Sequence, residues 1–130
     1  MIQVIELNGR EKRLYQLVAP LVMDPEVLKQ NYNYPFRTAD NYTWFIAIEG
    51  KDVVGFIPVE SKRSELIINN YYIKDDNLSV LKILLEQIIN SSDTDKRLTS
   101  VTFIEHKKMF IDMGFSEEKL WKRYVKMKKD

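Results

Sequence analysis

The chain has 130 residues and no cysteine. That absence removes disulfides, thiolate nucleophiles and Cys-based zinc sites together. A single histidine, His106, excludes a His-rich metal centre. No apolar run approaches the length needed to span a bilayer; the longest, around Leu17 to Met23, is short and contains Pro20. The first residues lack a basic segment followed by an apolar core, so no signal peptide is expected and a cytoplasmic location is. Charge of one sign is lacking too: the formal net charge is +1, which gives no global pull toward nucleic acid or acidic partners.

What is present is ordinary for a soluble globular protein, with 45% hydrophobic and 30% charged residues. One domain over residues 1–130 is expected, large enough to bury a core without staples. Met1 to Leu7 alternates as a strand and Asn8-Gly9 ends it. Arg10 to Ala19 places Leu14, Leu17 and Val18 on one helical face, with Pro20 expected to stop the helix. Asp24-Pro25-Glu26 opens a second, short helix with a capping carboxylate and proline in the first helical position. An aromatic loop follows, Asn31 to Tyr42. Thr43 to Glu49 and Asp52 to Val59 read as strands joined at Gly50-Lys51, with Pro58 expected to end the second or lie at an edge.

Glu65 to Ile73, ELIINNYYI, reads as one strand. A polar junction, Lys74-Asp75-Asp76-Asn77, leads into a helix from about Leu78 to Ile89 whose apolar face carries Leu78, Leu81, Leu85, Ile88 and Ile89. Leu98 to Ile104 is a strand, Glu105 to Met113 a helix stopped by Gly114, and Arg123 to Lys128 a last strand, with room for a short one around Phe115. The order β-α-α-β-β-β-α-β-α-β implies an α/β fold: a mixed sheet with helices on both faces.

Three segments in that order resemble the GNAT superfamily of acyl-CoA-dependent N-acyltransferases. The hairpin TWFIAIEGKDVVGFIPVE is similar to the family's second and third strands, with Gly55 inside the third. ELIINNYYI and LSVLKILLEQII resemble the fourth strand and the helix after it. FIEHKKMFIDMGF and YVKMKKD resemble the closing helix with its terminal GF dipeptide, then the last strand. The resemblance implies a GNAT-like fold in which the fourth and fifth strands splay and acetyl-CoA lies in the gap. Its pantetheine would pair with the fourth strand, and a Q/R-x-x-G-x-G/A loop would wrap its pyrophosphate. It further implies transfer of acetyl to a primary amine by direct attack, with a small-molecule or peptide amine as partner and a homodimer as one admissible assembly.

Two features depart from the family pattern. No glycine lies between Ile73 and the helix, although glycine lets backbone N–H groups converge on a phosphate. A carboxylate about 5 Å from a phosphate charge costs on the order of 3 kcal/mol at an effective dielectric of roughly 20. The junction therefore reads as one that caps its own helix, through Asp75 or Asn77. Counting back from Phe115, the usual tyrosine acid is replaced by Phe110.

By the resemblance, Tyr71, Tyr72, Ile73, Lys74, Asn77, Leu78 and Ser79 would contact the cofactor. Tyr32, Tyr34 and Phe36, with Asn69 and Asn70, would shape the acceptor pocket. For acid–base work the candidates are Tyr72, Glu65 and His106, each set against a plain alternative: packing, a solvated strand end and a solvated helix residue. Asn69 and Asn70 stand out because asparagine is disfavoured inside a strand. Glu49 and Glu60 read as surface charges, and Asp75, Asp76 and Asn77 are too close in sequence to converge on a metal. Lys119 to Lys129, interleaved with Trp121 and Tyr124, reads as an edge strand with outward lysines in preference to a nucleic-acid surface. A module that keeps the fold without turnover is the rival to the transferase.

Overall fold

The computed structural model describes residues 1–91 and 95–129. Its strands are β1 (Ile2–Asn8), β2 (Tyr42–Glu49), β3 (Asp52–Ser61), β4 (Glu65–Ile68), β5 (Tyr72–Ile73), β6 (Arg97–Phe103), β7 (Phe115–Leu120) and β8 (Tyr124–Lys129). Its helices are α1 (Lys12–Val22), α2 (Pro25–Gln30), α3 (Leu78–Ser91) and α4 (Lys107–Asp112). The sheet runs β1-β2-β3-β4-β6-β8-β7, with β5 attached to β3 alone.

Strand alternation divides the core in two. Trp44, Ile46 and Phe56 turn toward α1 and α2 with Leu14, Val18 and Val27. Phe45, Ala47 and Ile57 turn toward α3 and α4 with Leu81, Leu84, Leu85 and Phe110. Period-2 patterning produces this because successive residues of a strand face opposite ways. On α3 the buried stripe is Val80, Leu81, Leu84, Leu85 and Ile88; burial of each large aliphatic side chain is worth about 1.5–3 kcal/mol. Leu78, expected on that stripe, is exposed.

Several expected boundaries move. Pro20 lies inside α1, not after it. Its ring is on the exposed side, where the lost backbone bond can be replaced by water, and Val18 and Val22 continue the packing face. β3 runs past Pro58 to Ser61. β3 pairs with β5 at Gly55 and Phe56 and with β4 from Val59 to Ser61, so Pro58, opposite Trp44 on β2, has no ladder partner on its other flank. The strand around Phe115 is a full one, and it forms the sheet edge; β8 lies between β6 and β7. The lysine-rich last strand is therefore interior, not an edge.

Two glycines answer to specific constraints. At Gly55 an added Cβ would meet the Tyr72 carbonyl oxygen and Val80 at 3.1 Å each, so the bare backbone lets β3 approach β5 under α3. Gly114 takes φ 98° to end α4.

Candidate functional site: a splayed sheet with one side filled

The strand expected over Glu65 to Ile73 is two strands. β4 pairs in parallel with β6 from Glu65↔Arg97 to Ile68↔Ser100. Beyond Ile68 the chain breaks at Asn69-Asn70-Tyr71, with Asn70 at φ 54°, and resumes as β5 on β3 only. Three residues here oppose two on β3, Ile57 and Pro58, which is a bulge in strand count. From Val101 onward β6 pairs only with β8. The two central strands thus diverge beside Asn70.

On the α3/α4 side the divergence is occupied by the protein's own side chains. Tyr71 is 1% exposed and its ring lies 5.3 Å from Phe103 and 6.4 Å from Phe110. Its hydroxyl contacts Thr102 Oγ1 and His106 Nδ1 at 2.6 Å. His106 Nε2 in turn meets Asp76 Oδ1 at 2.5 Å. One proton assignment satisfies all three links: the Thr102 hydroxyl donates to Tyr71, Tyr71 donates to Nδ1, and Nε2–H donates to the Asp76 carboxylate. Burial pushes the Tyr71 phenol far up, outweighing its hydrogen bonds to Thr102 and Phe103, which keeps the proton this chain needs. Asp76 belongs to the junction before α3 and His106 to the turn before α4, so the chain ties the two helix entrances together.

The junction itself is built without glycine. Asp75 and Asp76 take φ 54° and 51°, values tolerated by aspartate better than by most residues. Asn77 caps α3: its Oδ1 accepts from Ser79 N at 3.0 Å, and its carbonyl accepts from Val80 N at 3.0 Å. The Ser79, Val80 and Leu81 N–H groups at the helix entrance are thus spent on Asn77 inside the chain. The resemblance implied an open splay for the arm and a glycine loop for the phosphates; Tyr71 and His106 fill the one and Asp75 and Asp76 stand in the other, so the residues present do not fit acyl-CoA in that position.

The α1/α2 side of the splay is open. A cleft of about 510 Å³ lies there, lined among others by Arg37, Glu60, Lys62, Asn70, Val101 and Tyr124. A narrow extension reaches Pro58 and Ile67. Asn69 and Tyr34 also line the cleft. The Tyr124 hydroxyl is buried and has no hydrogen-bond partner; burial first, then Tyr32 and Tyr34, push it up to about 12. Tyr42 is likewise raised, by burial and then by Glu60, with Arg37 opposing. Phe103 stands between the two sides, in ring contact with Tyr71 and with Tyr124 at 5.3 Å each.

The expected site residues scatter accordingly. Asn69, Asn70 and Tyr34 are at the cleft, and Tyr32 backs it by packing on Tyr124 at 5.7 Å. Phe36 faces Phe56 at 5.1 Å in the α1/α2 core. Tyr72 points to that core too, 5.6 Å from Phe56, away from Tyr71 because neighbours on a strand alternate. Ile73 is core, with its N–H on Gln30 Oε1 at 3.3 Å. Lys74 is in the junction, Leu78 is exposed, and Ser79 serves the cap. Glu65 begins β4, at the end remote from the splay. His106 is buried, 4% exposed, not a solvated helix residue. Glu60, Arg37, Lys62 and Tyr124 were not singled out for the cleft. Only Glu60 carried a signal, by alternating with Phe56 and Pro58 on the face that meets the bulge.

A mixed sheet that splays at a bulge, with paired helices on each face, defines the GNAT acyl-CoA N-acyltransferase fold, and this chain has it. It is similar to Escherichia coli ElaA over 98% of this chain and 99% of that one, with TM-score 0.72 and 12% identity. It is similar to an acyl-CoA N-acyltransferase from Pseudomonas aeruginosa over 100% of both chains, with TM-score 0.76 and 10% identity. A GNAT family acetyltransferase from Elizabethkingia anophelis with acetyl-CoA bound matches over 98% and 94%, with TM-score 0.62 and 13% identity. No family model and no curated protein matches the sequence.

Proposed function

We propose that the chain is an N-acetyltransferase-like protein that works as a binding module: it keeps the acceptor half of the GNAT plan and fills the cofactor half with its own side chains. The observation that carries this reading is the Tyr71–His106–Asp76 chain lying where the pantetheine arm would pass. Opening it means separating three buried or partly buried hydrogen bonds. At about 1 kcal/mol each, and more where Asp76 is charged, that weakens any ligand needing the open form by at least a hundredfold.

The second reading is an acetyl-CoA-dependent N-acetyltransferase acting on a primary amine. It is favoured by the divergence itself, since no backbone ladder crosses the gap beyond Ile68 and Ser100; only side chains would have to move.

Thermal unfolding with added acetyl-CoA separates the two. The binding reading expects no shift up to millimolar ligand in the native protein and a shift once His106→Ala removes the tie. A shift in the native protein at submillimolar acetyl-CoA, with thiol release on adding amines, would overturn it in favour of the transferase.

A further inference from the structure

The open cleft carries charges of both signs. Glu60 is half-buried in its wall, while Arg37 and Lys62 are exposed at its rim. Among the described residues none of the three is in an ion pair. Glu60 has one long hydrogen bond, from Asn41 Nδ2 at 3.5 Å. Both Glu60 and Arg37 act electrostatically on Tyr42, so they flank the same side chain. To these the cleft adds the amides of Asn69 and Asn70.

A ligand is selected by what it would leave uncompensated. A simple amine would satisfy Glu60 and leave both cations without a partner. A phosphate or simple carboxylate would satisfy the cations and set its charge against Glu60. Only a molecule carrying both an ammonium and a carboxylate gives each sign of charge in the cleft a partner, and the arginine fork is the side chain best shaped for a carboxylate. At about 510 Å³ the cleft is toward the small end of ligand sites, and Tyr34 and Tyr42 offer ring faces for an apolar side chain.

We propose that this cleft binds a free amino acid or the like, with its ammonium at Glu60 and its carboxylate at Arg37 and Lys62. The proposal rests on the reading of the cleft as the acceptor half of the site, and it holds whether or not acetyl-CoA is used.

Three probes test it by calorimetry or amide chemical-shift titration of the full chain: L-phenylalanine, phenylalaninamide without the carboxylate, and 3-phenylpropanoate without the ammonium. L-phenylalanine is expected to bind at least about tenfold more tightly than either analogue. The double variant Arg37→Ala/Lys62→Ala should weaken L-phenylalanine about tenfold, whereas the cationic phenylalaninamide should bind no more weakly than before; both side chains are exposed, and an unaltered melting curve confirms the fold. Equal binding of all three, no binding of any at about 10 mM, or indifference of L-phenylalanine to the double variant would overturn the proposal. Thiol release from acetyl-CoA, run in parallel with the same amines, separates the failures. Release with both amines alike sinks the ligand class and the binding-only reading together. Release confined to L-phenylalanine supports the ligand class and sinks only the binding-only reading.

Discussion

Two tyrosines face the splay from its two sides, and they are treated oppositely. Tyr71 is closed into a chain with Thr102, His106 and Asp76. Tyr124, across Phe103, lines the cleft and buries a hydroxyl that nothing among the described residues satisfies. A polar group buried with its partners supports the fold, whereas one buried without them is a standing cost. The difference marks which side of the gap is tied together and which is left unsatisfied.

The largest expected effect comes from breaking the closed side. Tyr71→Phe leaves Thr102 Oγ1 and His106 Nδ1 without their shared partner and should cost about 1–3 kcal/mol in urea unfolding. A cost near zero would mean that the chain of hydrogen bonds contributes nothing to closure. Alkali tests both sides at once. The fold holds both phenols above their ordinary value of 10.0, Tyr124 at about 12. In each case the neutral form is the one folding favours. The stability it contributes is complete below about pH 10, where the unfolded phenol ionises, and is lost as pH rises toward the folded value. The urea midpoint should therefore fall between about pH 10 and 12 while tyrosinate absorbance lags behind that of the unfolded chain; a flat midpoint would contradict the burial of both groups. The smallest effect belongs to Tyr124→Phe, which removes a hydroxyl with no partner. It should change stability by no more than about 0.5 kcal/mol, or raise it. A loss comparable to that of Tyr71→Phe would erase the contrast.

Much of the fold was legible because its signals are local. The β2–β3 hairpin follows from alternation on either side of Gly50-Lys51, and Asp24 does cap α2, accepting from Glu26 N at 2.9 Å. The break in the fourth strand was foreshadowed by Asn69 and Asn70, and the self-capped junction by Asn77. The filling of the gap was not legible. His106 lies 35 residues from Tyr71 and 30 from Asp76, and no periodicity links positions so far apart. The cleft has the same character: Arg37, Glu60 and Tyr124 come from a loop, a strand end and a strand start, and each taken alone reads as surface charge or packing. Pro20 and Pro58 misled as terminators because proline reports only a missing N–H, and whether that matters depends on neighbours the sequence does not display.

Pro58 has a consequence for how the chain can go wrong. It offers no amide hydrogen in the stretch where the third ribbon, paired on its other flank, has no ladder partner toward the rift, so a slip by a single step would set the imino acid against a backbone acceptor. The same slip would turn Ile67 and Ile68 to the wrong faces. The rift is thereby written into the unbroken ribbon as well as the broken one, and reshuffled pairing offers no way to heal it.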